Sequence, residues 1–104
     1  MNKTRVIAVD FDNVIHDVDH PVTGRKMGPP MPGVQRGMRW LMDTFDEVVV
    51  FTVRGDRPEH VEEWLRYYEI PFSRVTNIKG DFVAIIDDKA IEFISWGSLV
   101  VPTA

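Results

Sequence analysis

The chain has 104 residues, of which 44% are hydrophobic, and its 16 acidic and 12 basic side chains give a formal net charge of −4. That length fits one domain, which as a folded monomer is expected to expose about 6,000 Å². A net acidic chain argues against a broadly basic nucleic-acid-binding surface, although it leaves room for a local basic patch. The absence of cysteine excludes disulfides, cysteine-ligated zinc and thiol catalysis. No apolar run approaches the ~20 residues that span a bilayer and the N-terminus is unlike a signal peptide, so we expect a soluble cytoplasmic protein.

Short apolar runs alternate with amphipathic segments along the chain. The runs are β-branched and continuous, which is typical of parallel strands that are covered on both faces. The amphipathic segments have the apolar spacing of helices. In chain order, the predicted elements are strand 6–9, helix 33–45, strand 48–51, helix 57–68 and strand 82–86, with short candidate strands at 74–76 and 99–101. This order predicts right-handed crossovers and an open, doubly wound parallel sheet in a three-layer α/β/α arrangement, a Rossmann-like core.

Local signals refine both helices. Asp56 is the expected N-cap of the second helix, with Pro58 in its first turn and Glu59 as a capping-box partner. Trp64 falls on the apolar stripe of that helix, and we expect Trp40 of the first helix to be packed as well.

Each of the three strong strands ends in polar side chains. The first ends in Asp10 and Asp12, the second in Thr52, and the third in Asp87 and Asp88. The carboxyl ends of the strands in an open α/β sheet share one edge, where such folds bind ligands. A single acid at a strand end commonly does no more than form a turn, but the coincidence at three strands favours a shared site. Carboxylates crowded into a cleft repel one another unless some are protonated or a cation binds among them, and Mg²⁺ prefers such oxygen ligands.

The spacing of these side chains resembles that of the haloacid dehalogenase (HAD) superfamily of phosphatases, over residues 5 to about 93. The matching motifs are a strand ending in Asp10 and Asp12, a strand ending in Thr52, an upstream lysine for which Lys79 is the candidate, and a strand ending in Asp87 and Asp88. The Asp-x-Asp motif alone is a weak signal, whereas four motifs in this order are specific.

The resemblance implies an aspartyl-phosphate mechanism with Mg²⁺ as cofactor. It implies that Asp10 is the nucleophile and that Asp12 is the general acid and base. The implied metal ligands are the Asp10 carboxylate, the Asp12 backbone carbonyl, Asp87, and Asp88 as a direct or indirect ligand. Arg54 lies two residues beyond Thr52 and is suited to bidentate phosphate binding. The residues expected to contact the phosphoryl group are Asn13, Thr52, Arg54 and Lys79.

Two features depart from the common pattern of the superfamily. Asn13 stands where glycine is usual, and asparagine tolerates the left-handed conformation that glycine would adopt there. Lys89 directly follows the acidic pair and competes with Lys79 for the lysine role. We favour Lys79 because it precedes the strand, as the family's lysine does.

The resemblance further implies a small member of the superfamily without a cap domain. The intervals between the motifs are too short for a cap, so residues 1–104 are interpreted as one core domain with a short flap at about residues 14–28. An open site suits nucleotides, nucleic-acid ends, phosphoproteins and other large phosphomonoesters, or an oligomer that supplies a lid. Two alternatives stay open, namely a receiver-like phosphoacceptor module and a non-catalytic scaffold that retains the metal site.

The flap is rich in side chains that could bind a ligand. His16, His20 and Arg25 are interpreted either as substrate contacts or as part of a solvated hairpin with residues 21–24 at its tip. The His-x-x-x-His spacing suits a metal site only on a helix, so a separate metal site is not favoured here.

Overall fold

The computed structural model describes residues 4–18, 27–53 and 57–103. Its elements, in chain order, are β1 (Val6–Asp10), α1 (Val34–Thr44), β2 (Glu47–Phe51), α2 (Pro58–Tyr67), β3 (Arg74–Thr76), β4 (Ala84–Ile86) and a 3₁₀ turn at Trp96–Ser98. The candidate strand at 99–101 is wrong, because these residues form no strand. Val100 and Val101 are exposed and bury too little surface to hold that segment in a sheet.

The four strands form one all-parallel sheet in the order β3-β2-β1-β4. Ala8 and Val49 lie opposite each other in the register and are fully buried, as strands covered on both faces require. The same prediction is wrong for the third main strand: β4 spans three residues rather than 82–86, lies at the edge of the sheet, and is largely exposed. Val9 has Val50 beside it in β2 and Ile86 beside it in β4. The carboxyl ends of the strands therefore lie along one edge of the sheet.

Both helices pack on the same face of this sheet. The side chains of β1 and β2 that point to that face lie next to each other across the two strands. They form one core cluster with the apolar side chains of α1 and α2. The cluster consists of Ile7, Val9, Phe11, Ile15, Val34, Met38, Leu41, Val48, Val50, Val61, Trp64, Leu65 and Ile70. The molecule is thus an α/β protein with a Rossmann-like parallel sheet, and in the three described ranges helix covers one face of it. No helix in these ranges is long and apolar enough to cross a membrane.

Two details of the helices differ from the sequence prediction. The N-cap of α2 is Arg57, without a side-chain capping hydrogen bond, and the predicted cap Asp56 lies outside the described residues. Proline at the next position explains the change, because the residue before proline is driven to an extended backbone, here φ −66° and ψ 144°. Trp40 is 62% exposed rather than packed, because it falls outside the apolar stripe of α1 that faces the sheet.

The segment that follows β4 packs loosely. Apart from Leu99, every described residue from 87 to 103 is exposed, and Trp96 reaches 81%. The packed core is therefore concentrated around β1, β2 and the two helices.

Candidate active site

Three aspartates from two neighbouring strands meet at the carboxyl edge of the sheet. Asp10 is the last residue of β1, and Asp87 and Asp88 directly follow β4, its parallel neighbour. One carboxylate oxygen from each of the three lies within 4.8 Å of the others. The geometry thus brings together acids that are separated by more than seventy residues along the chain.

The crowding changes the acidity of the innermost carboxyl group. Partial burial, and then the negative charges of Asp87, Asp88 and Asp12, together raise the pKa of Asp10 from 3.8 to about 6. A hydrogen bond with the backbone of Phe11 acts in the opposite direction. Three carboxylate oxygens in this arrangement match the hard oxygen ligands that Mg²⁺ accepts, and a divalent cation would offset their mutual repulsion.

The chain turns sharply directly after β1. The carbonyl of Phe11 accepts hydrogen bonds from the backbone N–H groups of Ile15, at 3.0 Å, and His16, at 2.8 Å. The Asn13 N–H donates to the carbonyl of His16 at 2.7 Å. Asn13 has φ 68°, the left-handed conformation that the sequence predicted for it. This turn fixes the backbone of Asp12 relative to the end of β1.

His16 is not a surface residue of the flap but part of the interior, only 3% exposed. Its Nδ1 lies 2.9 Å from Oδ1 of Asp12. Its Nε2 accepts the backbone N–H of Gly28 at 2.8 Å. The interpretation of His16 as a substrate contact or solvated residue is therefore wrong, because both ring nitrogens are already engaged inside the protein. His20, Arg25 and the hairpin tip at 21–24 lie outside the described residues.

An aromatic cluster encloses this histidine. The ring of Phe11 stacks on that of His16 at 5.1 Å and 15°, and Trp64 meets His16 edge-on at 5.5 Å and 81°. The indole N–H of Trp64 donates to the carbonyl of Gly28 at 3.1 Å. Gly28 is thus bound through its N–H by His16 and through its carbonyl by Trp64. The sequence placed Trp64 in the core correctly but gave no sign of its link to Asp12, since that link runs through residues distant in the chain.

The structure shows less about the other predicted site residues, and it records no contact between Lys79 and the three aspartates. Thr52 follows β2, is 8% exposed, and its N–H donates to the carbonyl of Thr76 at 2.9 Å. Lys79 is exposed in the connection before β4, and it forms no ion pair with any carboxylate of the described ranges. The backbone N–H of Lys89 donates to Oδ1 of Asp87 at 2.7 Å. Arg54 lies outside the described residues.

An apolar groove of about 290 Å³ runs between α1 and the strand ends. Val9 and Ile86, the residues directly before Asp10 and Asp87, line this groove. The exposed Trp40 of α1 lines it as well. The carboxyl edge therefore offers apolar surface in addition to its cluster of charges.

Comparison with known proteins adds to the description of the fold. No family model matches this sequence, and no curated protein matches it. A solved structure, described as that of a conserved protein coded by a locus from Bacteroides thetaiotaomicron, is similar with a TM-score of 0.61 and 21% sequence identity. The match covers 91% of this chain and 85% of that chain. At this level of identity the likeness concerns the fold alone.

Proposed function

We propose that this protein is a Mg²⁺-dependent phosphatase of the HAD type, with a doubly wound core and no cap domain. It hydrolyses a phosphomonoester through an aspartyl-phosphate intermediate. The observation that supports this most strongly is the meeting of Asp10, Asp87 and Asp88 at the carboxyl edge of a parallel sheet. Asp12, two residues beyond the first of them, supplies a further carboxyl group at the same strand end.

In the first half of the reaction, an oxygen of the Asp10 carboxylate attacks the phosphorus atom. The bond between phosphorus and the ester oxygen breaks, and the electron pair leaves with that oxygen. Asp12 donates its proton to the departing oxygen, so that an alcohol rather than an alkoxide is released. The product on the protein is an acyl phosphate on Asp10.

In the second half, water attacks the same phosphorus atom. Asp12, now ionised, accepts a proton from that water, which restores its starting state. The bond between phosphorus and the Asp10 oxygen breaks, inorganic phosphate leaves, and the carboxylate is regenerated. Asn13, Thr52, Arg54 and Lys79 are assigned to binding the phosphoryl group and balancing its charge.

The metal ligands in this proposal are Asp10, the backbone carbonyl of Asp12, Asp87 and Asp88. Bound Mg²⁺ would supply positive charge that neutralises the phosphoryl oxygens and lets the nucleophile approach them. The pKa of Asp10, about 6, is raised first by burial and then by the negative charges of Asp87, Asp88 and Asp12, and a bound cation would offset those charges. The apolar groove would accommodate the organic part of the substrate.

A turnover assay tests the proposal. The wild-type protein is offered p-nitrophenyl phosphate, nucleotides, sugar phosphates, phosphopeptides and oligonucleotides with a terminal phosphate, with Mg²⁺ and with EDTA. We expect Mg²⁺-dependent release of phosphate, and we expect Asp10→Asn to lower kcat by at least about 10³-fold. Asp43→Asn is the matched control, because α1 carries Asp43 to the opposite end of the sheet.

Retained turnover by Asp10→Asn would exclude Asp10 as the nucleophile. A long-lived phosphoprotein after treatment with acetyl phosphate, with no catalytic turnover, would favour the receiver-like alternative. Absence of both results with every substrate would favour a scaffold that binds metal without catalysis.

A further inference from the structure

The hydrogen bonds around His16 determine where its proton lies. A backbone N–H can only donate, so the Nε2 atom that receives the N–H of Gly28 must present a lone pair. A neutral imidazole carries one N–H, which is therefore on Nδ1. That N–H is directed at Oδ1 of Asp12, 2.9 Å away. The ring is thus an oriented donor to Asp12.

We propose that His16 is a positioning residue for the proton-transfer group of this site. By its hydrogen bond to Oδ1 it holds the Asp12 carboxyl group in the orientation from which Asp12 passes its proton to the leaving group. This inference rests on the proposed function, since it assigns His16 a task only if Asp12 is the general acid.

The surroundings of the ring make it a rigid support. His16 is 3% exposed, with the ring of Phe11 stacked on it and the ring of Trp64 against it edge-on. The imidazole cannot rotate without losing its hydrogen bond from Gly28. Gly28 is itself anchored by the indole N–H of Trp64. A carboxyl group on a turn has two free torsions, and fixing them matters because a displacement of about 1 Å can lower a rate by about 10²-fold.

A simpler role for His16 would be to tie residue 28 to the turn after β1, with no effect on the chemistry. The two roles use different ring nitrogens, so two substitutions separate them. In His16→Asn the side-chain amide takes the place of Nδ1 and can still donate to Asp12, but the bond to Gly28 is lost. In His16→Gln the amide takes the place of Nε2 and can still accept from Gly28, but the bond to Asp12 is lost.

The substrate pair is chosen so that only one member needs the proton. Phenol has a pKa of about 10 and leaves poorly as an anion, so phenyl phosphate depends on the general acid. The p-nitrophenolate anion leaves without protonation, and the two substrates are otherwise similar in shape. We measure kcat/KM with Mg²⁺, since this ratio reports the step in which the leaving group departs and not the later hydrolysis.

If His16 positions Asp12, His16→Gln lowers kcat/KM for phenyl phosphate by about 10- to 100-fold and for p-nitrophenyl phosphate by less than about 3-fold. His16→Asn retains the wild-type ratio between the two substrates, whatever its stability. His60→Asn and His60→Gln serve as controls on an exposed histidine of α2 and leave both values unchanged.

Equal losses on both substrates, or a loss of selectivity in His16→Asn but not in His16→Gln, would overturn the positioning role while the phosphatase assignment stands. A wild-type protein that hydrolyses neither substrate would overturn both. A second measurement does not depend on activity or on the variants folding. Long-range ¹H–¹⁵N NMR of the wild-type protein at about pH 8 is expected to show His16 with its proton on Nδ1, and a proton on Nε2 would contradict the proposal.

Discussion

The two sides of the candidate site are built in different ways. On the β1 side, Asp12 is fixed by a tight turn and by His16, which is buried among aromatic rings. On the β4 side, Asp87 and Asp88 are exposed, and the chain after them buries almost nothing. Asp87 is supported locally, by a hydrogen bond from the backbone N–H of Lys89 two residues later.

This contrast indicates that the β1 side positions a reacting group and that the β4 side contributes charge to a metal site. Groups that must hold a geometry within fractions of an ångström benefit from packing that leaves no alternative rotamer. Groups that only contribute charge to a hard cation tolerate more freedom, because the cation itself draws its ligands together. We therefore expect mutations on the β1 side to affect folding and catalysis together, and those on the β4 side to weaken metal binding, and catalysis through it, without affecting folding.

The largest expected effect compares two tryptophans, one on each side. Trp64→Ala removes a side chain that is 8% exposed and that contacts Phe11 and His16, so we expect a loss of about 3–5 kcal/mol in the free energy of unfolding. Trp96→Ala changes a side chain that is 81% exposed and should cost less than about 0.5 kcal/mol. Urea denaturation followed by circular dichroism measures both.

A milder variant sharpens the same comparison. Trp64→Phe keeps most of the ring packing but removes the N–H that binds the carbonyl of Gly28, which should cost about 1 kcal/mol. Similar losses for Trp64→Ala and Trp96→Ala would mean that the segment after β4 is packed in solution, and the contrast between the two sides would fail.

The next effect concerns the affinity for Mg²⁺. Asp87→Asn and Asp88→Asn each remove one negative charge from the three-carboxylate cluster while keeping the shape of the side chain. We expect each to weaken Mg²⁺ binding by roughly 10- to 100-fold and to leave the free energy of unfolding of the metal-free protein within about 0.5 kcal/mol of wild type. Isothermal titration calorimetry measures the affinity for Mg²⁺. Asp43→Asn is the control, because it also removes one negative charge but lies outside the cluster.

Unchanged affinity in both Asp87→Asn and Asp88→Asn would remove the β4 side from the metal site. A loss in one variant only would distinguish the residue that binds the ion directly from its neighbour. Such a result would still fit a site formed by two strands.

The parts of this molecule that could be predicted from the sequence are those encoded locally. Continuous apolar runs that end in polar side chains predicted the three main parallel strands, and the shared carboxyl edge of a parallel sheet then placed Asp10, Asp87 and Asp88 together. The motif resemblance predicted a left-handed residue at position 13, a conformation that asparagine tolerates, and Asn13 adopts it. Both signals depend on a few consecutive residues, and tertiary packing has little freedom to override them.

The remaining features depend on contacts between distant segments. The inward orientation of His16 requires Gly28 and Trp64, 12 and 48 residues further along the chain, and nothing in the local sequence around position 16 encodes them. The apolar side chains after β4, such as Phe93 and Ile94, look like core residues by composition yet are exposed. Burial is a property of the whole fold, so composition alone could not separate these residues from Phe11.

The smallest expected effect is a dependence of stability on pH that arises at Asp10. Its pKa in the folded protein is about 6, against an ordinary value of 3.8, so between these values the folded state binds more protons than the unfolded state. The contribution of Asp10 to stability is therefore greatest at low pH and is lost as the pH rises from about 4 to about 6. An unscreened shift of this size would correspond to about 3 kcal/mol, and solvent screening of the half-buried carboxyl group reduces the expected effect to about 1 kcal/mol.

The measurement compares the free energy of unfolding of wild type with that of Asp10→Asn. Other carboxyl groups have their own pH dependence, and the comparison cancels it because both proteins share those groups. For each pH we subtract the free energy of unfolding of wild type from that of Asp10→Asn, in EDTA. We expect this difference to be about 1 kcal/mol larger at pH 7.5 than at pH 4, in favour of Asp10→Asn. Saturating Mg²⁺ should abolish that advantage, since a bound cation compensates the ionised carboxylates of the wild-type site. A difference between the two proteins that is the same at both pH values would show that Asp10 ionises as freely as an exposed acid, and the crowding of the β1 and β4 carboxylates would then carry no energetic cost.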